Sequence, residues 1–149
     1  MRVQISDELK AAQKSQDKRR TGTLRLIQAA IQDRDIAHRG AGKDPVSDDE
    51  ILQILSKMVK QREESAKAFE DGGRAELAAQ EREEIAIIKD FLPKQLDDEA
   101  VRQLCRQAIQ EVGAEGLRDM GRCMAVLKEK YPGQMDFGKA SGVVKDLLK

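Results

Sequence analysis

The stretch Phe91-Leu92-Pro93-Lys94-Gln95-Leu96-Asp97-Asp98-Glu99 decides how this chain folds. It follows a long helical pattern from Arg74 to Asp90. Pro93 ends that helix because proline has no backbone N–H and disfavours helical angles at the residue before it. Asp97 then supplies an N-cap for a new helix. The sequence therefore predicts two helical domains joined by a short hinge, residues 1–94 and 95–149.

Composition predicts that both domains are helical. The chain has 149 residues, of which 36% are charged and 40% hydrophobic, with no tryptophan and one tyrosine. Long helices that expose most of their perimeter have this composition, so we predict an all-α fold. No apolar run approaches the roughly 18 residues needed to cross a membrane. The N-terminus lacks the pattern of a signal peptide, so we expect a soluble, intracellular and cytoplasmic protein without a membrane partner.

Capping residues predict the helix boundaries of the first domain. Ser6 can cap a first helix that ends near Lys18, and Thr21 or Thr23 can begin a second. The clearest start is Ser47-Asp48-Asp49-Glu50, which fits a capping box.

The third and fourth helices are predicted to form a long antiparallel pair. Val46 and Ile51 are placed to form a hydrophobic staple around the capping box. The third helix then continues to a turn at Gly72-Gly73, and the fourth returns from it towards Pro93.

The second domain is predicted to be a small three-helix bundle. The expected helices span residues 98–112, about 118–130, and a last helix capped by Asp136. Gly113 is a suitable residue to end the first of them. Cys105 and Cys123 lack the paired spacing of a metal or redox site, which favours their burial as free thiols.

The sequence predicts no catalytic constellation, cofactor site or metal site. His38, beside a glycine-rich loop, is the single histidine, so a histidine-based general base or metal site would rest on this one residue. Gly40-Ala41-Gly42-Lys43 lacks the remainder of a phosphate-loop motif and is interpreted as a linker. The acidic clusters of the third and fourth helices are interspersed with basic residues, as in solvated helix pairs.

Basic residues of the last two helices suggest a binding face. From residue 118 to 149 there are seven Lys and Arg against four Asp and Glu, although the net charge of the chain is zero. Gly138-Lys139-Ala140 lies at a predicted helix N-terminus, where N–H groups favour phosphate. With few aromatic residues to stack on bases, any bound nucleic acid is expected to be a folded RNA recognised by backbone and shape. A solvated bundle surface is the alternative interpretation of the same residues.

Six short motifs, in order along the chain, resemble those of the YqeY family. They are Leu24-Arg25-Leu26 with Ala29-Ala30-Ile31, Lys60-Gln61-Arg62-Glu63-Glu64-Ser65, Gly73-Arg74-Ala75-Glu76-Leu77-Ala78, Phe91-Leu92-Pro93-Lys94-Gln95-Leu96, Asp119-Met120-Gly121, and Gly138-Lys139-Ala140-Ser141 with Val144-Lys145. Family members are similar to the C-terminal helical and tail domains of the B subunit of tRNA-dependent amidotransferase. A related module is appended to some glutaminyl-tRNA synthetases.

This resemblance implies an all-α, two-domain, tRNA-binding module associated with amidotransferase or aminoacyl-tRNA machinery, and no DNA partner is expected. The family association with carbon–nitrogen ligase activity, with glutamine as amido-nitrogen donor, comes from the larger enzyme, whose catalytic domain precedes the part that resembles this chain. The chain alone is therefore expected to lack that activity. The resemblance places the tRNA-contacting surface on Arg118, Arg122, Lys139 and Lys145, with Gly121 and Gly138 allowing close approach. Replacing Lys139 and Lys145 by glutamate is expected to weaken tRNA binding.

Two other functions remain open from the sequence. The acidic helix pair from Glu63 to Asp90 could bind a basic protein, which would make the chain an interaction adaptor. An enzyme of a type that the motifs do not identify is the third possibility.

Overall fold

The computed structural model describes residues 1–149 and contains seven α-helices, one short 3₁₀ helix and no strand. The predicted all-α fold is confirmed. The helices are α1 (Arg2–Lys14), α2 (Lys18–Gly40), α3 (Asp48–Asp71), α4 (Ala75–Lys89), α5 (Asp98–Val112), α6 (Met120–Lys130) and α7 (Phe137–Leu148). They belong to two compact units, Met1–Leu92 and Pro93–Lys149. No helix combines the length and the apolar character needed to cross a membrane.

The boundaries of the first two helices differ from the sequence prediction. Helix α1 begins at Arg2, so Ser6 lies inside it and does not cap it. Helix α2 is capped by Asp17, whose side chain accepts a hydrogen bond from the Arg20 N–H. The predicted starts at Thr21 and Thr23 are wrong because Asp17 caps the helix earlier in the chain.

Helices α3 and α4 form the predicted antiparallel pair. The capping box at Ser47 and Glu50 is present in full. The turn uses Gly73, whose φ of 74° favours glycine. Ion pairs join the two helices in reverse order, since Glu63 pairs with Lys89 while Glu70, later in α3, pairs with Arg82, earlier in α4.

The core of the first unit lies where α1 packs on α2 and α3 packs on α4. Fully buried side chains come from all four helices: Ile5, Leu24, Ile27, Ile51, Leu55 and Ile88. His38, at the end of α2, has Nδ1 3.0 Å from the Asp44 carbonyl oxygen and Nε2 3.2 Å from a carboxylate oxygen of Glu50. The first contact holds the α2–α3 loop against α2, and the second joins the end of α2 to the start of α3.

The Arg2–Asp35 pair holds the start of α1 against α2. Each of two Arg2 nitrogens donates a hydrogen bond of 2.8 Å to a different oxygen of Asp35, and the Val46 N–H donates a third of 2.8 Å. These bonds, chiefly those from Arg2, lower the pKa of Asp35 from 3.8 to about 2. The carboxylate therefore stabilises the folded protein above pH 3.8, and this contribution is lost as pH falls towards 2.

Removing the Asp35 carboxylate is therefore expected to change the acid sensitivity of the fold. Asp35→Asn should melt at a lower temperature than wild type at pH 6, and the difference in Tm should shrink between pH 4 and pH 2. Thermal melts followed by circular dichroism at each pH measure this difference. A gap that stays constant down to pH 2 would show that Asp35 does not contribute through its charge.

The second unit is a three-helix bundle in which α5, α6 and α7 each pack against the other two. Asp97 and Asp136 cap α5 and α7 as predicted, and Gly113 ends α5 with a φ of 64°. Cys105 and Cys123 are buried free thiols, also as predicted, and burial raises the pKa of each. Helix α6 runs from Met120 to Lys130, close to the predicted span of about 118–130, and a 3₁₀ turn at Leu117–Asp119 leads into it.

Candidate nucleic-acid interface

Helices α6 and α7 carry the same spacing of small residues and lysine on their exposed sides. Residues four and three apart share one face of a helix. Each helix has a small residue, a second small residue four positions later, and a lysine three positions after that. All six residues are exposed. We call this set the lysine–glycine face: Gly121, Ala125 and Lys128 on α6, with Gly138, Gly142 and Lys145 on α7.

The surroundings of Lys139 show which side of α7 faces α5. Lys139 and Val143 line a cavity together with Val101 and Arg102 of α5, so this side of α7 faces α5. Lys145 lies six residues beyond Lys139, which places it about 120° around the helix at 3.6 residues per turn. Lys145 therefore lies on a different side of α7 from Lys139.

A contact of Lys130 places Lys128 in the same way. Lys130 Nζ donates to a carboxylate oxygen of Glu111 at 2.7 Å, so this side of α6 faces α5. That hydrogen bond also raises the pKa of Lys130. Lys128, two residues earlier, lies on the opposite side of the line of buried residues Cys123 and Leu127 from Lys130.

The two halves of the lysine–glycine face lie on helices that pack against each other and are connected by residues 131–136. Each half ends in a lysine, Lys128 on α6 and Lys145 on α7. Neither lysine forms an ion pair, unlike Lys130 and Lys149. Both ammonium groups are therefore available to an anionic partner.

Folding does not require glycine at positions 121 and 142 of this face. A methyl group added at Gly121 or Gly142 would meet nothing within 4 Å. Glycine inside a helix costs about 0.5–1 kcal/mol relative to alanine, so these positions are less stable than they could be. A partner that approaches the backbone closely would account for them.

The structure separates the six residues predicted to contact tRNA into three groups. Gly121, Gly138 and Lys145 lie on the lysine–glycine face. Lys139 lies on the other side of α7 and lines the cavity next to α5. Arg118 is exposed in the 3₁₀ turn, whereas Arg122 donates a hydrogen bond of 2.9 Å to Asp119.

The expected phosphate site at the start of α7 is not available in this structure. Asp136 caps the helix, and its Oδ1 accepts hydrogen bonds from the N–H groups of Gly138 at 2.8 Å and Lys139 at 3.4 Å. The Ala140 N–H donates to the Asp136 carbonyl oxygen at 3.0 Å. These N–H groups are already used, so attraction for an anion must come from lysine side chains.

Lys128 is the residue that the predicted contacting surface left out. It counts among the basic residues of the last thirty positions, but the family resemblance did not single it out. The repeat of its spacing, Gly-x3-Ala-x2-Lys and then Gly-x3-Gly-x2-Lys, is visible in the sequence and could have identified it. Within residues 1–149, no three histidine, cysteine or acidic side chains lie close enough together to hold a metal ion.

The protein consists of two small helical units, and two adjacent helices of the second unit carry exposed lysines and glycines. It is therefore an all-helical protein with a candidate binding face. Comparison with known families makes the assignment more specific. The chain belongs to the YqeY family, because the family model described as Yqey-like protein matches residues 2–148. The resemblance noted in the sequence is thereby confirmed.

Curated relatives include two yeast proteins with one name. "Altered inheritance of mitochondria protein 41, mitochondrial" of Saccharomyces cerevisiae is 30% identical over 88 residues, which cover 59% of this chain and 46% of that protein. The protein of the same name from Lachancea thermotolerans matches with the same identity and coverage. The alignment spans just under half the length of these relatives.

Proposed function

We propose that this protein binds folded RNA, with tRNA as the expected partner, through the lysine–glycine face of its second unit. The observation that carries the proposal is the pair Lys128 and Lys145, which are exposed, form no ion pair and lie on adjacent helices that each carry an exposed glycine. The similarity of YqeY proteins to the tail domain of a tRNA-dependent amidotransferase subunit supports tRNA as the partner.

The chemistry of the face suits an RNA backbone better than RNA bases. Lysine ammonium groups neutralise phosphates and release counterions from the nucleic acid. Neither helix presents an exposed aromatic side chain that could stack on a base, so recognition would depend on backbone geometry and shape.

Adding a methyl group at Gly121 is expected to separate folding from binding. Gly121→Ala should fold normally, and its melting temperature should stay equal to that of wild type or rise, because helices favour alanine over glycine. Its affinity for tRNA should fall about tenfold, equivalent to 1.4 kcal/mol, if an RNA backbone approaches this position. Fluorescence titration with labelled tRNA and a thermal melt measure the two quantities. Unchanged affinity would remove Gly121 from the interface.

A competition experiment tests whether the face recognises the shape of tRNA. Labelled tRNA bound to the full-length protein is displaced by unlabelled tRNA or by a duplex RNA of equal length. We expect tRNA to compete at a lower concentration than the duplex. Equal competition would reduce the proposal to general RNA binding, and absence of any tRNA binding at low salt would exclude it.

The adaptor function has less support from the ion pairs of the first unit. From Glu63 to Asp90 the chain has nine acidic residues. At least five of them already pair with arginine or lysine inside the same unit: Glu63, Glu70, Glu83, Glu84 and Asp90. A basic partner would have to compete with these pairs, so the helix pair offers less negative charge than its sequence suggests.

A further inference from the structure

A cavity of about 340 Å³ opens on the second unit, beside the lysine–glycine face and separate from it. It lies between the start of α5 and the start of α7. Its floor is apolar and comes from Val101 and Met135, which are buried, and Val143, which is half-buried. Pockets that bind small ligands begin at about this volume and combine an apolar floor with a few polar groups.

Exposed charged side chains form the rim of this cavity. Arg102 on α5 and Lys139 on α7 supply positive charge, and Asp98 supplies a hydrogen-bond acceptor. Arginine can contact a phosphate with two N–H groups and can also lie flat against the plane of a base. The rim thus offers both donors and acceptors around an apolar surface.

We infer that this cavity binds one unpaired nucleotide of the bound RNA, with the base against the valine floor and the phosphate between Arg102 and Lys139. A base has an apolar face and an edge of donors and acceptors, which matches the floor and the rim. The inference deepens the proposed function and rests on it, because the lysine–glycine face would hold the RNA backbone on the other side of the same helix, α7.

This placement also assigns a role to Lys139 that differs from that of Lys145. Lys145 would contact backbone phosphates on the lysine–glycine face, whereas Lys139 would contact the phosphate of the nucleotide in the cavity. Loss of Lys139 should therefore weaken binding of a single nucleotide, and loss of Lys145 should not.

Titration of isotopically labelled full-length protein with adenosine 5′-monophosphate tests the inference by nuclear magnetic resonance. The backbone amide signals of Val101 and Val143 should shift in a saturable manner. Inorganic phosphate alone should affect Arg102 and Lys139 without shifting the two valines. Adenosine, which lacks the phosphate, should require about tenfold more ligand for half-saturation, equivalent to 1.4 kcal/mol.

Two variants connect these shifts to the cavity. Val143→Phe fills the floor and should raise the concentration of nucleotide at half-saturation by about tenfold or more, while Leu147→Phe, a matched change on the same helix outside the cavity, should leave it within about twofold. If Val143→Phe fails to fold, the exposed change Arg102→Gln serves instead and should remove the preference for the monophosphate over adenosine.

Several results would overturn the inference. If wild-type protein binds tRNA while adenosine, guanosine, cytidine and uridine monophosphates all leave Val101 and Val143 unshifted, the cavity is rejected as a nucleotide site and the proposed function stands. Equal nucleotide binding by wild type and a folded Val143→Phe would also reject it. Shifts produced by free leucine and not by nucleotides would identify a site for an amino acid or peptide.

Discussion

Replacing both Lys128 and Lys145 by glutamate is expected to lower the affinity for tRNA by about 100-fold or more. One pair of opposite charges in contact contributes about 1 kcal/mol in bulk water. Reversing the charge at both positions removes two such attractions and adds two repulsions of similar size. The sum approaches 4 kcal/mol, of which 2.8 kcal/mol already corresponds to 100-fold. Fluorescence titration with labelled tRNA at about 0.1 M salt measures the change, where charges within about 10 Å still interact.

A control with the same change in net charge accompanies this variant. Lys10 and Lys14 are exposed lysines of α1 in the first unit, and neither forms an ion pair. Lys10→Glu combined with Lys14→Glu should lower tRNA affinity far less than the change at Lys128 and Lys145. Equal losses in the two double variants would mean that net charge, and not the lysine–glycine face, determines binding. Circular dichroism should show both variants folded.

Leu127→Ala is expected to cause the largest loss of stability in the second unit. Leu127 is fully buried in α6 among residues of α5 and α7. Truncation of a buried leucine removes its apolar contacts and leaves a cavity, at a cost of about 2–5 kcal/mol. Urea unfolding followed by the fluorescence of Tyr131 measures this loss, because the only tyrosine of the chain lies in this unit and packs against its core.

Leu147→Ala provides the comparison for this result. Leu147 lies on α7 of the same bundle but is 36% exposed, so its truncation should reduce the free energy of unfolding much less. Similar losses at positions 127 and 147 would contradict the packing described for the bundle. Loss of tRNA binding in Leu127→Ala would follow from loss of the fold and would carry no information about the face.

Prediction from the sequence succeeded where a boundary depends on chemistry within a few residues. The capping box at Ser47, the turn at Gly73 and the N-caps at Asp97 and Asp136 each use contacts between near neighbours. Such contacts depend little on the rest of the fold, so the local pattern is sufficient. The all-α class followed from composition for a similar reason.

Prediction failed where several capping residues competed. Asp17, Thr21 and Thr23 are all acceptable helix starts, and the sequence alone did not identify Asp17 as the one used. Thr23 lies in the buried face of α2 with 1% exposure, a position set by the packing of α2 in the core and not by its capping preference. The 3₁₀ turn at residues 117–119 was missed because a short turn resembles the first residues of a helix.

The sequence identified candidate binding residues but did not show which of them lie on the same side of a helix. Lys139 and Lys145 belong to one helix and were predicted to act together, but the contacts of Lys139 with the cavity place them on different sides of α7. Helical periodicity separates the two residues, whereas only the cavity shared with α5 shows which neighbouring helix Lys139 faces. The pairing of Arg122 with Asp119 likewise required the structure.

The salt dependence of tRNA binding tests the central claim most directly. The association constant of the wild-type protein and of a variant with Lys128→Gln and Lys145→Gln is measured between about 50 and 200 mM salt. Each lost phosphate contact reduces the slope of log affinity against log salt by about one, so the variant should have a slope shallower by about two. Identical slopes, or a wild-type protein that does not bind tRNA at the lowest salt concentration, would contradict the account.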